Sequence, residues 1–341
     1  MEAASRRDLV DEPRTKTMRA AVQKGFGPAH EVIEVTEVEI PALEPDRVLV
    51  EVAAASLNAL DFHFMTGTPR IARLDLGLRV PKRAIPGADV AGTVVAVGED
   101  VTDLRAGDEV FGDVGEGGFA EYAAPRAAVL APKPTQLSLE EASTLGVAAL
   151  TALQGLRDWG GLQPDQRVLI NGGSGGVGTF AIQIAKALGA SHVTAVCSTG
   201  KVDTAYAIGA DRVIDYTKDD FTKIGERFDL FFDNAGSKSL GQTRAMTTPE
   251  GSVVMVTGKK GGWIRPVDRL IGGTIRSRFW TQRFVSKTAR ADRSDLLVLK
   301  EMVESGLVKP VMDRRFRLDE AADALAYQSE GHARGKSVVI P

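Results

Sequence analysis

Short runs of Val, Ala, Ile and Thr, interrupted every few residues by Gly, Pro or Asp, dominate the chain from position 18 to position 130. Segments 48–55 (VLVEVAAA), 90–98 (VAGTVVAVG) and 109–123 (EVFGDVGEGGFAEYA) are of this kind, and their turn punctuation predicts a β-rich domain. From Ser138 the apolar spacing changes to three and four, with Leu139, Ala142, Leu145 and Ala149 on one stripe. That change predicts a helix and the start of a second domain, with Pro132 and Pro134 closing the first. Further on, apolar runs at 168–171, 192–197, 212–216, 228–233 and 251–257 predict strands. Helical spacing at 177–188 and 202–208 is stopped by Gly189 and Gly209. Strands that are apolar throughout belong to a parallel sheet covered on both faces, so a doubly wound α/β domain is expected. Two helices, 295–304 and 319–330, then precede a last strand at 336–340, which is expected to return to the first domain. The layout expected is a tail at 1–17, a β-rich domain from 18–141 and 289–341, and a doubly wound domain from 142–288.

Length and composition narrow the function classes. A chain of 341 residues, 43% apolar and 26% charged, suits about two ordinary globular domains and excludes wholesale disorder or a fibrous repeat. The longest weakly polar segment, 142–153, falls short of the roughly 20 residues a membrane-spanning helix needs. Forty-two basic and 45 acidic residues leave a net charge of −3 without a block of like charge, so neither membrane nor nucleic acid is an expected partner. The one cysteine, Cys197, can form neither an internal disulfide nor a thiolate zinc cluster, which points to a reducing, cytoplasmic setting. Segment 1–17 mixes acids and bases around no apolar centre and so matches neither a secretory signal nor a transit peptide.

The sharpest local signal is 171–178, NGGSGGVG, which places Gly173-x-Gly175-x-x-Gly178 after a predicted strand and before a predicted helix. In that context the spacing reads as a dinucleotide loop. Gly173 is expected to make the tight turn, Gly175 to let the backbone of Gly176 and Val177 approach a pyrophosphate, and Gly178 to allow close helix–strand packing. About 20 residues on, where an acid would bind the adenosine ribose of NAD, the chain reads Ser198, Thr199, Gly200, Lys201. Two hydroxyls and a cation favour a 2′-phosphate, hence NADP(H). The same residues would also serve as helix caps and a solvated lysine. Tyr216, after the third strand, is a candidate for the adenine pocket. Asn234, Thr257 and Gly258 fall at the carboxyl ends of later strands, where ligands of such folds bind.

These residues, with NALD at 58–61, PGADVAGTVVAVGE at 86–99, GDEVFG at 107–112, GFAEYA at 118–123 and GHARGK at 331–336, resemble the zinc-independent quinone oxidoreductase and enoyl reductase branch of the medium-chain dehydrogenase/reductase superfamily. The resemblance spans nearly the whole chain after Met18. It implies a GroES-like substrate domain completed by C-terminal residues, a Rossmann domain, and a dimer joined through Rossmann strands. It also implies that Thr151 bonds the nicotinamide carboxamide and that Lys336 lies near the cofactor. Where zinc-dependent relatives carry a cysteine this chain has Asn58, and where they carry Gly-His-Glu it has Gly87, Ala88 and Asp89. The zinc ligands are thus missing, and no metal is expected.

Without a Lewis acid, reduction of a quinone or of the activated C=C of an α,β-unsaturated carbonyl is more accessible than oxidation of a simple alcohol. Asn58 is the first candidate to donate a hydrogen bond to the substrate oxygen. His63 could deliver the proton, or could equally pack or face solvent. Asp61 is expected to anchor the loop. No tyrosine lies between Met18 and Glu121, so a tyrosine donor from this loop is excluded. Trp263, Phe279, Trp280 and Phe284 stay unassigned. A rival reading from another class is a non-catalytic or weakly catalytic NADPH-binding interaction or structural protein.

Overall fold

The computed structural model describes residues 17–68, 70, 73–77, 81–82, 84–256, 271–273, 275, 278–331 and 333–341. Most of the expected tail, together with Thr257, Gly258 and Trp263, lies outside the described residues. The amino-terminal strands are β1 (Thr17–Gln23), β2 (Ile33–Glu39), β3 (Val48–Ser56), β4 (Asp89–Val97), β5 (Glu109–Asp113), β6 (Tyr122–Ala123) and β7 (Leu130–Pro132). The central ones are β8 (Arg167–Asn171), β9 (His192–Cys197), β10 (Arg212–Asp215), β11 (Phe228–Asp233), β12 (Thr247–Met255) and β13 (Arg283–Val285). Two more, β14 (Met312–Arg317) and β15 (Lys336–Ile340), end the chain.

The central strands form one sheet in the order β10-β9-β8-β11-β12-β13, parallel throughout. Successive residues of β8 show why this sheet is buried on both sides. Val168 and Ile170 join one apolar cluster, while Leu169 joins another with Val196, Ile214 and Phe231. Chain order reverses between β8 and β11, and a crevice at their carboxyl ends is where folds of this type take ligands.

The remaining strands form a hairpin, β1-β2, and a mostly antiparallel sheet ordered β14-β15-β3-β4-β5-β7, with β6 also on β3. The terminal strand does return to this sheet, Val338 facing Ser56 and Val339 facing Ala55 of β3. The Arg293–Glu304 helix buries Leu296, Leu299 and Val303 in a cluster that contains residues of both sheets, among them Phe111, Ala131, Val168 and Ile170. No helix among the described residues is long and apolar enough to cross a membrane.

The single helix expected from Ser138 is interrupted. Leu139–Ser143 and Val147–Gln154 are separate helices, followed by a π-helical turn, Gly155–Gly160. The break has a tertiary cause. The Asp89 carboxylate takes the N–H of Val147 at 2.7 Å, and it lies so close to Gly146 that a Cβ there would overlap Asp89 Oδ1.

Candidate active site

The glycine-rich loop leaves β8 at the sheet's switch point and enters the Gly176–Ala187 helix, with Gly175 as its N-cap. The left-handed residue of the turn is Gly172, at φ 85°, and not Gly173 as expected. Gly173 is required for a different reason, since a Cβ on it would come within 2.9 Å of Ala195 on β9. At Gly178 a Cβ would overlap the carbonyl oxygen of Gly172, whereas at Gly175 the nearest atom would be 3.8 Å away. Close packing behind and open space in front make a cradle whose free N–H groups, with Val177 in the first turn, suit a pyrophosphate. Beside it the Asn234 N–H donates to Asn171 O at 3.0 Å, and the Asn171 side chain donates to Asp233 at 2.8 Å, which holds the β8 and β11 ends together.

At the end of β9, Ser198 precedes a single 3₁₀ turn, Thr199–Lys201, without capping it through its side chain. The Thr199 hydroxyl donates to Asp215 Oδ2 at 2.5 Å. Hydroxyls of Thr199 and Thr217 hold the Asp215 carboxyl down at about 2. Lys201 donates from Nζ to Ala333 O at 2.7 Å, and burial lowers its pKa. The adjacent Arg334, which sequence reasoning missed, brings its guanidinium within 3.9 Å of where a Cβ on Gly200 would sit. Tyr216 is exposed at the outer end of β10.

From the other sheet comes a buried polar cluster. Asp89 accepts from Ser56 Oγ at 2.7 Å and Asn58 Nδ2 at 2.8 Å on one oxygen. Lys336 Nζ donates to Leu57 O at 2.8 Å and Asn58 Oδ1 at 2.6 Å, and lies 3.7 Å from Asp89. The stem of Lys336 passes the cradle, where a Cβ on Gly176 would approach its Cδ to 2.8 Å. Burial lowers the pKa of this ammonium against the pull of Asp89 and Asp61.

Asp61 reaches back to the Asn58 N–H at 2.7 Å and takes the N–H groups of Gly87 and Ala88, each at 3.2 Å. Burial nevertheless pushes its carboxyl up to about 7, with Asp89 adding to the rise. A small cavity lined by Gln23, Asp61, Phe64, Ile85 and Glu116 adjoins it.

These contacts revise two roles expected from the sequence. Both amide hydrogens of Asn58 are engaged, one by Asp89 and one by Ser56 O at 3.3 Å, and its oxygen is taken by Lys336. Asn58 therefore bridges residues and offers no donor to a substrate oxygen. The Thr151 hydroxyl donates to Val147 O at 2.6 Å within its own helix, so toward a carboxamide it has only acceptor lone pairs to offer. His63 Nδ1 lies 3.0 Å from Thr68 O. Because a carbonyl only accepts, Nδ1 carries its hydrogen, and Nε2 becomes a donor in the imidazolium form. Phe284 is core, Trp280 packs on it at 5.2 Å, and Phe279 is exposed.

The two sheets and the cradle between them define a dinucleotide-dependent oxidoreductase architecture with a separate substrate-domain surface. Comparison with known proteins agrees. Residues 44–135 match a family described as alcohol dehydrogenase GroES-like domain, and residues 208–339 one described as zinc-binding dehydrogenase. A 2-methylene-furan-3-one reductase of Solanum lycopersicum is 37% identical over 318 residues, covering 90% of this chain and 74% of the relative. An NADPH-dependent alkenal/one oxidoreductase of Arabidopsis thaliana, a chloroplastic protein, is 35% identical, covering 97% and 82%. The structure of a quinone oxidoreductase from Coxiella burnetii superposes with a TM-score of 0.84 at 29% identity, covering 96% of this chain and all of that one. The chain belongs to the medium-chain dehydrogenase/reductase family.

One matched family is described as zinc-binding. Among the described residues no three of His, Cys, Asp and Glu are grouped to hold an ion, where a catalytic zinc takes about three protein ligands. Asn58, at the expected ligand position, is engaged as above.

Proposed function

We propose that this protein is an NADPH-dependent reductase that transfers hydride to a quinone or to the activated C=C of an α,β-unsaturated carbonyl, without a metal. The observation that carries the reading is the glycine cradle at the switch point, with a buried Asn58–Lys336–Asp89 cluster from the substrate sheet against its first helical turn. The names of relatives supply the substrate class: an alkenal/one oxidoreductase, a furanone reductase and quinone oxidoreductases.

The loop Gly173–Gly178 and the helix it opens would hold the pyrophosphate. Ser198, Lys201 and Arg334, with Thr199 braced on Asp215, would surround a 2′-phosphate, and Tyr216 would cover the adenine. Asn234 would border the nicotinamide end, with Thr151 on the facing helix; Thr257 and Gly258, expected in the same layer, lie outside the described residues. Bound there, NADPH supplies hydride from its nicotinamide ring. The protein would align the acceptor against that ring. His63, with Nδ1 on Thr68 O, would be the group that gives a proton to the reduced product. Lys336 and Asp89 hold Asn58 and the substrate loop still while this happens.

Two further parts of the reading concern assembly and place. A homodimer is supported by β13, the outer strand of the parallel sheet, and by exposed Ile271, Ile275 and Phe279 in the segment before it. A cytoplasmic setting is supported by the single, buried cysteine. The test of the reading is direct. Purified protein is mixed with NADPH or NADH, and absorbance is followed with a quinone, an enone and a simple ketone. Oxidation of NADPH by the first two and not the third is expected. Tight NADPH binding with no acceptor reduced would favour an interaction or structural role instead.

A further inference from the structure

Asp89 opens β4 with none of its surface exposed, a carboxylate inside a largely apolar fold. Four groups from three distant segments converge on it: Ser56 Oγ, Asn58 Nδ2, Val147 N–H and the Lys336 ammonium. The residues just before it are pinned as well, because Asp61 holds the N–H groups of Gly87 and Ala88 and, with its other oxygen, that of Asn58. Asp61, Ala88–Asp89 and Asn58 thus form a closed ring. Two arms run from the ring to the dinucleotide half. Val147 begins the helix that carries Thr151, and the Lys336 stem lies under Gly176 of the cradle. A buried carboxylate is tolerated because donors occupy its lone pairs. A neutral amide in its place keeps one acceptor oxygen, so its NH2 group would meet a donor on one side or the other, Val147 N–H or the pair Ser56 Oγ and Asn58 Nδ2.

We propose that Asp89 is the positioning residue for hydride transfer: its carboxylate, acting through Asn58 and Lys336 on one side and Val147 on the other, sets the substrate loop at a fixed distance from the dinucleotide cradle. This rests on the reductase reading above. Asp89 touches no substrate; it acts by fixing groups whose displacement by about 1 Å would slow the reaction severely.

The experiment uses the full chain with NADPH. In Asp89→Asn, single-turnover oxidation of NADPH by a quinone or enone is expected to slow by roughly tenfold to a hundredfold. The isotope effect with NADPH deuterated at the transferred position should rise, while the NADPH dissociation constant stays within about twofold. In the double variant Asn58→Asp/Asp89→Asn the carboxylate moves one partner along, facing both Lys336 and the new amide. Most of the lost rate should return. A single variant with the wild-type rate and isotope effect would overturn the proposal, as would a slowing fully matched by lost NADPH binding. Should Asp89→Asn fail to fold, the double variant decides: a rate near wild type supports the proposal, and a folded, NADPH-bound but slow protein overturns it. Should the wild type reduce no acceptor, the reductase reading falls, and hydrogen exchange then judges Asp89 alone. NADPH should protect segments 57–61 and 147–151 together in the wild type and separately in Asp89→Asn; joint protection in both would overturn the proposal.

Discussion

Lys201 and Ala333 are joined across 132 residues by a hydrogen bond of 2.7 Å from the ammonium to the carbonyl. The bond ties the β9 end to the segment that carries Arg334, so two cations flank Gly200 where the sequence showed one. Arg334→Ala is expected to raise the KM for NADPH about tenfold, a loss of about 1.4 kcal/mol, and to leave that for NADH within about twofold. Lys201→Glu should act in the same direction and more strongly. Steady-state kinetics with both cofactors check this. Equal effects on NADH and NADPH would remove the pair from the phosphate site.

The glycines of the cradle separate stability from binding. Gly178→Ala forces a methyl into the Gly172 carbonyl and should cost roughly 1–3 kcal/mol or more of folding stability. Gly175→Ala has room for its methyl. It should melt near the wild-type temperature while NADPH affinity falls at least about tenfold, because the methyl takes the space a pyrophosphate would enter. Thermal melts paired with fluorescence titration distinguish the two. A Gly175→Ala protein that binds NADPH normally would displace the pyrophosphate from this loop.

How much of this was legible in the sequence depends on range. The strands β8 to β11, the Gly176–Ala187 helix and the glycine loop are local patterns and stand within a residue or two of expectation, whereas β12 begins at Thr247, four residues before the expected 251, and the short parallel strand β13 was not expected. The interrupted helix at Gly146 is not local, since its cause, Asp89, is far away in the chain and leaves no mark on the 139–149 stripe. Asn58 illustrates the same limit. Its residue type suggested a donor to substrate, but its partners, Asp89 and Lys336, lie 31 and 278 positions away. One signal was present. An Asp at the head of the otherwise apolar run 90–98 is a charge that must find donors once that strand is buried.

His63 has its tautomer set by Thr68 O at 3.0 Å. If it gives up the proton, His63→Gln should lower kcat by roughly 10²-fold and remove the alkaline limb of the kcat profile that reports its titration. NADPH affinity should hardly change. Unchanged turnover and an unchanged pH profile would dismiss His63 as donor and leave water as the proton source.

Asp61 makes stability depend on pH in an unusual direction. Burial raises its carboxyl from an ordinary 3.8 to about 7. Between those values the native state therefore holds one proton that the unfolded chain has released, and stability falls as pH rises. The contribution is whole below about pH 4 and is lost as pH passes 7, a change on the order of a few kcal/mol. Asp215 and Asp220, held near 2 by hydroxyl and lysine partners, act oppositely and only below about pH 4, so the windows do not overlap. Urea midpoints measured from pH 4.5 to 7.5 should decline in the wild type and decline much less in Asp61→Asn. The variant will be less stable overall, because its amide meets the Asn58 N–H with a second donor, but the test is the slope. Parallel slopes in the two proteins would show that Asp61 is ionised throughout, held so by its three backbone donors.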